Sequence, residues 1–116
     1  MFIPQHTRIY LATGSTDMRK AINGLSILVQ EHMDLDPFSG HLFVFCNRRR
    51  NIIKVLYWDR TGFCLWHKRL ERDRFVWPQS AKQVLEFDIR QLSWILQGLD
   101  IRRFQGHKPL KFSAVA

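Results

Sequence analysis

Apolar residues recur along this chain with two different periods. Over residues 16–33 they fall at Met18, Ala21, Ile22, Leu25, Leu28, Val29 and Met33. That i, i+3, i+4, i+7 spacing lays one buried stripe down a helix. Thr16 stands where an N-cap belongs, and Asp17 suits the positive end of the helix dipole. The pattern therefore predicts a helix over 16–33, with Arg19, Lys20 and Asn23 facing outward. Gly24 in its interior predicts a close backbone contact there. Ahead of it, residues 8–12 form a short apolar run ended by Thr13-Gly14-Ser15, which reads as a strand or an extended segment.

The period then shortens to two. After a loop, DLDPFSG over 34–40, come four β-rich runs: 41–46, 52–58, 63–70 and 74–77. Their connections are short and polar, as antiparallel hairpins require. Within 52–58, Ile53, Val55 and Tyr57 point one way and Ile52, Lys54, Leu56 and Trp58 the other. Both sets include large apolar groups, so both faces of the sheet call for cover. Pro78 stops the last run. One more short strand is read at 84–87. Asp88 then looks like an N-cap, with Gln91 completing a capping-box spacing. Ile89, Leu92, Ile95, Leu96 and Leu99 would form the buried face of a second helix, and Gly98 is placed to end it. The order strand, helix, meander, helix gives an α+β fold: an antiparallel β-meander of four to five strands packed with two helices. One domain is expected over 1–101, followed by a basic tail, 102–116, that frays without a partner.

Composition adds a partner class. The chain has 116 residues, 46% of them hydrophobic, enough for one domain with a real core. Its net charge is +8, and twelve Arg stand against six Lys. A surplus of that size attracts polyanions, and Arg forks onto phosphates and guanine edges. No charged start followed by an apolar run opens the sequence, and no apolar run nears the roughly 18 residues that span a bilayer. The reading is a cytoplasmic protein with reduced thiols and no membrane partner.

The candidates for bond chemistry are weak. Cys64 and His67, with Cys46 and His41, are zinc-type ligands, but three residues apart on a strand Cys64 and His67 point to opposite faces. Asp34 and Asp36 share a loop and make the best remaining carboxylate pair; the other acids have helix-start or turn roles. No nucleophile elbow and no phosphate-cradling glycine loop occurs. Neither a catalytic group, a metal nor a cofactor is assigned. The basic groups are richer. Arg48, Arg49 and Arg50 sit at a hairpin tip between asparagines, and such a tip can enter a groove or lie along a phosphate backbone. Lys54, Lys68, Arg69, Arg72 and Arg74 are spread through the same meander among Tyr57, Trp58, Trp66, Phe75 and Trp77. That interleaving suits phosphate contact with base stacking, or equally a core of rings beneath a solvated charged face.

Several blocks carry a family resemblance: Thr16-Asp17-Met18-Arg19-Lys20 with Gly24-Leu25; the run DPFSGHLFVF over 36–45; IKVLYWD over 53–59; Lys68-Arg69-Leu70-Glu71; Arg74-Phe75-Val76-Trp77-Pro78; and Leu92 with the ending LQGLD over 96–100. Together they closely resemble the TnpB-type accessory proteins, products of the second open reading frame, of bacterial insertion sequences of the IS66 family. The resemblance runs from about Ile9 to Asp100. It implies a bacterial protein encoded beside a larger transposase and needed for transposition, a form of DNA recombination, and it supplies no agreed active residues. It does not extend to the nuclease-type TnpB proteins, which share only the label. Two departures fall where the family pattern often has Gly, near the turn holding Asp73 and around the tip holding Arg48, Arg49 and Arg50.

The resulting expectation is a non-catalytic accessory factor. It would bind DNA at the element's ends or within the transposase complex through Arg19, Lys20, Arg48, Arg49, Arg50, Lys54, Lys68, Arg69, Arg72 and Arg74. Two alternatives stay open: a module docking on the transposase without DNA contact, and an RNA-binding regulator. Exposed strand edges also allow a homodimer through sheet pairing.

Overall fold

Alternation in the strands places apolar side chains on both faces of one sheet, and each face has its own cover. The computed structural model describes residues 6–98 and the backbone of Ser113–Val115. In chain order it holds β1 (Ile9–Ala12), α1 (Ile22–Glu31), β2 (Leu42–Cys46), β3 (Ile52–Asp59), β4 (Gly62–Arg69), β5 (Val84–Phe87), α2 (Ile89–Leu96) and β6 (Ser113–Val115). The sheet order is β4-β3-β2-β1-β5-β6. Every neighbouring pair is antiparallel except β1 and β2, which run parallel with Ile9 opposite Leu42. The α+β architecture is the expected one. The meander accounts for β2, β3 and β4, while β1 is buried in the centre between β2 and β5.

One face gathers Ile9, Leu11, Val44, Ile53, Val55 and Leu85 under α2, whose Leu92 and Ile95 are fully buried. The other gathers Tyr10, Phe43, Phe45 and Leu56 under α1, whose Leu25 and Val29 are fully buried. Alternate residues of β1 and β2 serve the two cores in turn, so a one-residue slip in register would exchange them. The cap of α2 matches its sequence signal: Gln91 N–H donates to Asp88 Oδ1 at 2.7 Å, and Gln91 Oε1 accepts from Asp88 N–H at 2.9 Å. Gly98 ends the helix at φ +78°. Ile89 departs from the expected buried face and is 52% exposed, because the stripe that meets the sheet starts at Gln91 and Leu92. Leu99 and most of the tail from Arg102 lie outside the described residues; the backbone of Ser113–Val115 pairs with β5.

Two sequence expectations shift for local reasons. The first helix begins at Ile22, not at residue 16. Thr16 is buried with its N–H on Cys46 O at 2.8 Å, and Asp17 spends its carboxylate on the N–H and guanidinium of Arg19. Side-chain bonds of this kind compete with helix initiation, and they make 16–21 a connector. Residues 74–77 form no strand. After β4 the chain turns back across the α2 face as a strap, with Phe75 and Trp77 buried in the core. Phe75 N–H donates to Arg50 O at 2.7 Å, and the Trp77 indole donates to Ala12 O at 3.0 Å. The two-residue alternation there reflects an extended segment filling a core, without a ladder.

The strap turns out of line at Asp73, whose φ is +63°, and the tip closes at Arg50 with φ +61°. Both are left-handed positions that favour glycine, and both fall where the family resemblance expects one. Asp73→Gly is therefore expected to stabilise the fold by about 0.5–1 kcal/mol, read from the midpoint of chemical denaturation.

At the opposite end of β1, His41 Nδ1 accepts the N–H of Arg8 at 3.0 Å. Burial, and then the charge of Arg8, hold the imidazole below its ordinary 6.5. The folded state thus disfavours a proton that the unfolded chain binds. Stability is complete above pH 6.5 and falls as pH drops through that value toward the lower folded one. The melting temperature is expected to decline as pH falls below about 6.5, and His41→Gln should flatten that part of the profile.

Candidate nucleic-acid interface

Strand direction decides which loops meet. Because β1 and β2 are parallel and their other neighbours antiparallel, the segments 13–20, 47–51, 70–75 and 79–83 all leave the same end of the sheet. They bring Arg19, Lys20, Arg48, Arg49, Arg50, Arg72, Arg74 and Lys82 to that end, with Arg69 at the close of β4. The carboxylates there are Asp17, Glu71 and Asp73. Asp17 is bound by Arg19 at 2.6 Å and Glu71 by Arg69 at 3.1 Å. Hydrogen bonding to Arg19 holds the Asp17 carboxyl down at about 2, so the pair stays ionised. The opposite end, with Asp36, Asp59 and Asp88 among Arg8, Arg60 and Arg90, is mixed in sign.

The asparagines flanking the arginine triplet build the tip. Asn47 Oδ1 accepts the backbone N–H of Asn51 and of Ile52, each at 3.0 Å, and Asn47 Nδ2 donates to Asn51 Oδ1 at 2.7 Å. Arg50 N–H closes the turn on Asn47 O at 3.1 Å. The loop is sewn from within, and Arg48 and Arg49 project from its apex. Both are exposed, with no hydrogen-bond or ion-pair partner among the described residues. Arg50 differs: it is half-buried, and its guanidinium leans toward Trp77 O at 3.5 Å. The strap is stitched to the same tip through Leu70 N–H on Asn51 O at 2.8 Å, which sets exposed Arg72 and Arg74 beside it. Arg19 and Lys20 are exposed as expected, but on the connector before α1. The stem of Lys20 lies across Gly24, where an added Cβ would stand 3.2 Å from it. This is the close contact that the glycine signalled.

Lys54 and Lys68 are committed inward. Lys54 Nζ donates to Met18 O at 2.9 Å and Lys20 O at 3.1 Å, tying the connector to β3. Lys68 Nζ donates to Leu96 O at 2.7 Å and so caps the carbonyl end of α2. Lys54→Met is therefore expected to cost about 1–3 kcal/mol of stability through the stranded carbonyls, seen as a lower denaturation midpoint. The rings among the basic groups are also turned inward. Phe75 and Trp77 are buried, Tyr57 and Trp66 pack half-buried on the same core, and Trp58 sits at the far end against Phe38 and Phe63. Lys82 is the basic residue at this end that sequence reasoning passed over. Only the pairing of β5 with β1, distant in sequence, brings it there.

The residues weighed for metal or acid chemistry are dispersed. Cys64 faces Tyr57 and His67 faces Lys54 across the β3–β4 ladder, on opposite sides of the sheet. Burial pushes the Cys46 thiol up to about 11. Asp36 Oδ1 accepts the N–H of Phe38 at 2.9 Å, an ordinary turn role, and Asp34 sits in the same loop at φ +55°. Among the described residues no three His, Cys, Asp or Glu side chains come together as a metal would need. No helix among them is long and apolar enough to cross a membrane.

Comparison with known proteins gives a consistent setting. The model of the family described as IS66 Orf2 like protein matches residues 7–106. The uncharacterized protein y4hO of Sinorhizobium fredii (strain NBRC 101917 / NGR234) is 44% identical over 101 residues, spanning 87% of this chain and 88% of its own. The uncharacterized protein y4jC of the same organism is 36% identical over 104 residues, spanning 90% of this chain and 88% of its own. No solved structure shows significant similarity.

Proposed function

The chain belongs to the IS66 Orf2-like family of transposition accessory proteins, and from that premise we propose that it is a non-catalytic DNA-binding factor acting at the element's ends or within the transposase complex. The observation that carries this reading is the convergence of the tip, the strap and the 13–20 connector at one end of the sheet. Arg48, Arg49, Arg72 and Arg74 extend there from hydrogen-bonded backbone. Guanidiniums gathered at one end neutralise neighbouring phosphates and release their counterions, so affinity depends steeply on salt. Phosphate contacts of this kind position a protein on DNA without reading its sequence. Specificity would then come from DNA shape or from the transposase.

The test is binding of the full chain to terminal-repeat duplex and to random duplex across a salt series. The reading expects binding to both at low salt, with a logarithmic slope of several units. No binding at low salt would remove it. Docking on the transposase has its own supporting observation at the other end of the sheet. There Phe38, 58% exposed, packs on Trp58 and Phe63 with ring centroids 5.1 and 5.2 Å away. Exposed aromatics supported from below suit a protein contact. Co-purification with transposase that survives nuclease treatment and is lost in Phe38→Ser would assign that end to the protein partner. The two surfaces are compatible in one molecule.

A further inference from the structure

The basic end of the sheet also contains a cleft beside the connector, which the arginine tip does not line. It measures about 410 Å³ and lies between α1, the 13–17 segment and the 80–83 loop. That volume falls within the range of small-molecule sites, roughly 300–1,000 Å³. The lining has two characters. Leu28 gives it an apolar floor, backed by the buried Met33 and Phe45, while Lys20, Lys82 and Ser15 stand among its polar walls. The walls are fixed by hydrogen bonds. Thr13 donates through its hydroxyl to Lys82 O at 2.6 Å and through its N–H to Gln83 O at 3.0 Å. Lys82 N–H donates to Ser80 Oγ at 3.0 Å. The carboxylate in the lining, Asp17, is already occupied by Arg19. Neither Lys20 nor Lys82 has an ion-pair partner among the described residues.

We propose that this cleft receives an unpaired nucleotide of DNA, its base against Leu28 over the buried Met33 and Phe45 and its phosphate between Lys20 and Lys82. An apolar ligand would not use two ammoniums, and inorganic phosphate would not use the floor; a nucleotide uses both. A paired base is stacked in the duplex and reaches such a cleft only if flipped out, so single strands and frayed ends are the preferred source. Thr16 in the cleft wall is bonded to Cys46, one residue before the loop that carries the arginine tip. The inference rests on the DNA-binding reading but makes separate demands.

Two measurements on the full chain test it. In the first, amide resonances are followed during titration with dTMP, thymidine or inorganic phosphate. The proposal expects dTMP to move residues 13–17 and 80–83 at concentrations where thymidine and phosphate have little effect. Unmoved amides, or an equal response to phosphate alone, would overturn it. In the second, single-stranded and duplex oligonucleotides are compared on the Lys20→Gln/Lys82→Gln variant and on Arg48→Ala/Arg49→Ala. The lysine variant, its melting temperature checked first, should lose about tenfold in single-strand affinity and clearly less on duplex, where Lys20 and Lys82 contribute only general charge to the basic end. The arginine variant should weaken on both. Equal loss on both substrates in the lysine variant would reduce the cleft to general charge and sink the proposal. A chain that takes dTMP in the cleft but binds no duplex would remove the DNA reading while supporting a nucleotide site.

Discussion

Trp77→Ala lowers the unfolding free energy by about 3–5 kcal/mol, a large share of what a domain of this size holds. The indole is 5% exposed and belongs to the core that joins β1, β2 and β3 to α2. Truncation removes its burial, leaves a cavity that the strap cannot easily close, and strands Ala12 O, which now accepts from the indole at 3.0 Å. Trp77→Phe keeps most of the volume and loses the donor, so its cost is about 1–2 kcal/mol. Urea denaturation followed by far-ultraviolet circular dichroism reads both, as a lower midpoint with an unchanged slope. A loss below about 1 kcal/mol for the alanine variant would mean that the strap is not part of the cooperative fold. The strap matters beyond stability. It carries Arg72 and Arg74, and its Phe75 N–H holds the carbonyl of Arg50. Loosening it should spread the basic end before the rest of the sheet gives way.

Arg48→Ala/Arg49→Ala separates function from fold. Both side chains are exposed at the apex of a loop whose hydrogen bonds come from Asn47 and Asn51. Their removal should leave stability within about 0.5 kcal/mol of the parent. If the tip lies on DNA as proposed, the same variant should weaken binding on the order of 10- to 100-fold near physiological salt, each arginine then giving up a charge-assisted hydrogen bond to phosphate. It should also reduce the salt slope by about 1 for each phosphate no longer neutralised. Lys54→Met gives the reciprocal result, a lower midpoint with the slope unchanged, because its ammonium is spent on Met18 O and Lys20 O. Fluorescence anisotropy on one labelled duplex at several salt concentrations measures all three proteins. A double-arginine variant with the parental slope would take the tip out of the interface.

Much of this architecture could be read from local pattern. The capping box at Asp88 and Gln91, the β2–β3 and β3–β4 hairpins, the loop at 34–40 and the two-sided apolar pattern of β3 all depend on neighbours in sequence, and they appear where the pattern puts them. What escaped depends on distant partners. The connector over 16–21 carries a helical pattern, yet Cys46 O, Lys54 Nζ and the Asp17–Arg19 pair claim its polar groups. The 74–77 segment alternates like a strand, yet its bonds run to Arg50 and Ala12, and β4 stays at the sheet edge. The candidate interface follows the same division. Charge and spacing singled out the arginine tip, because asparagines flank it in sequence. That the strap, the connector and Lys82 share its end of the sheet follows from β1 pairing parallel to β2 and antiparallel to β5, which no local pattern encodes. The same topology turned Lys54 and Lys68 inward, which their residue type alone could not announce.

The claim that one end of this sheet is the nucleic-acid surface meets its most direct test in a titration of isotope-labelled full-length protein with terminal-repeat duplex, followed by amide chemical shifts. The account predicts shifts concentrated in residues 47–51, 69–74 and 17–20, with 36–41 and 59–62 at the far end unmoved. Shifts concentrated at the far end, or spread evenly over the surface, would contradict it.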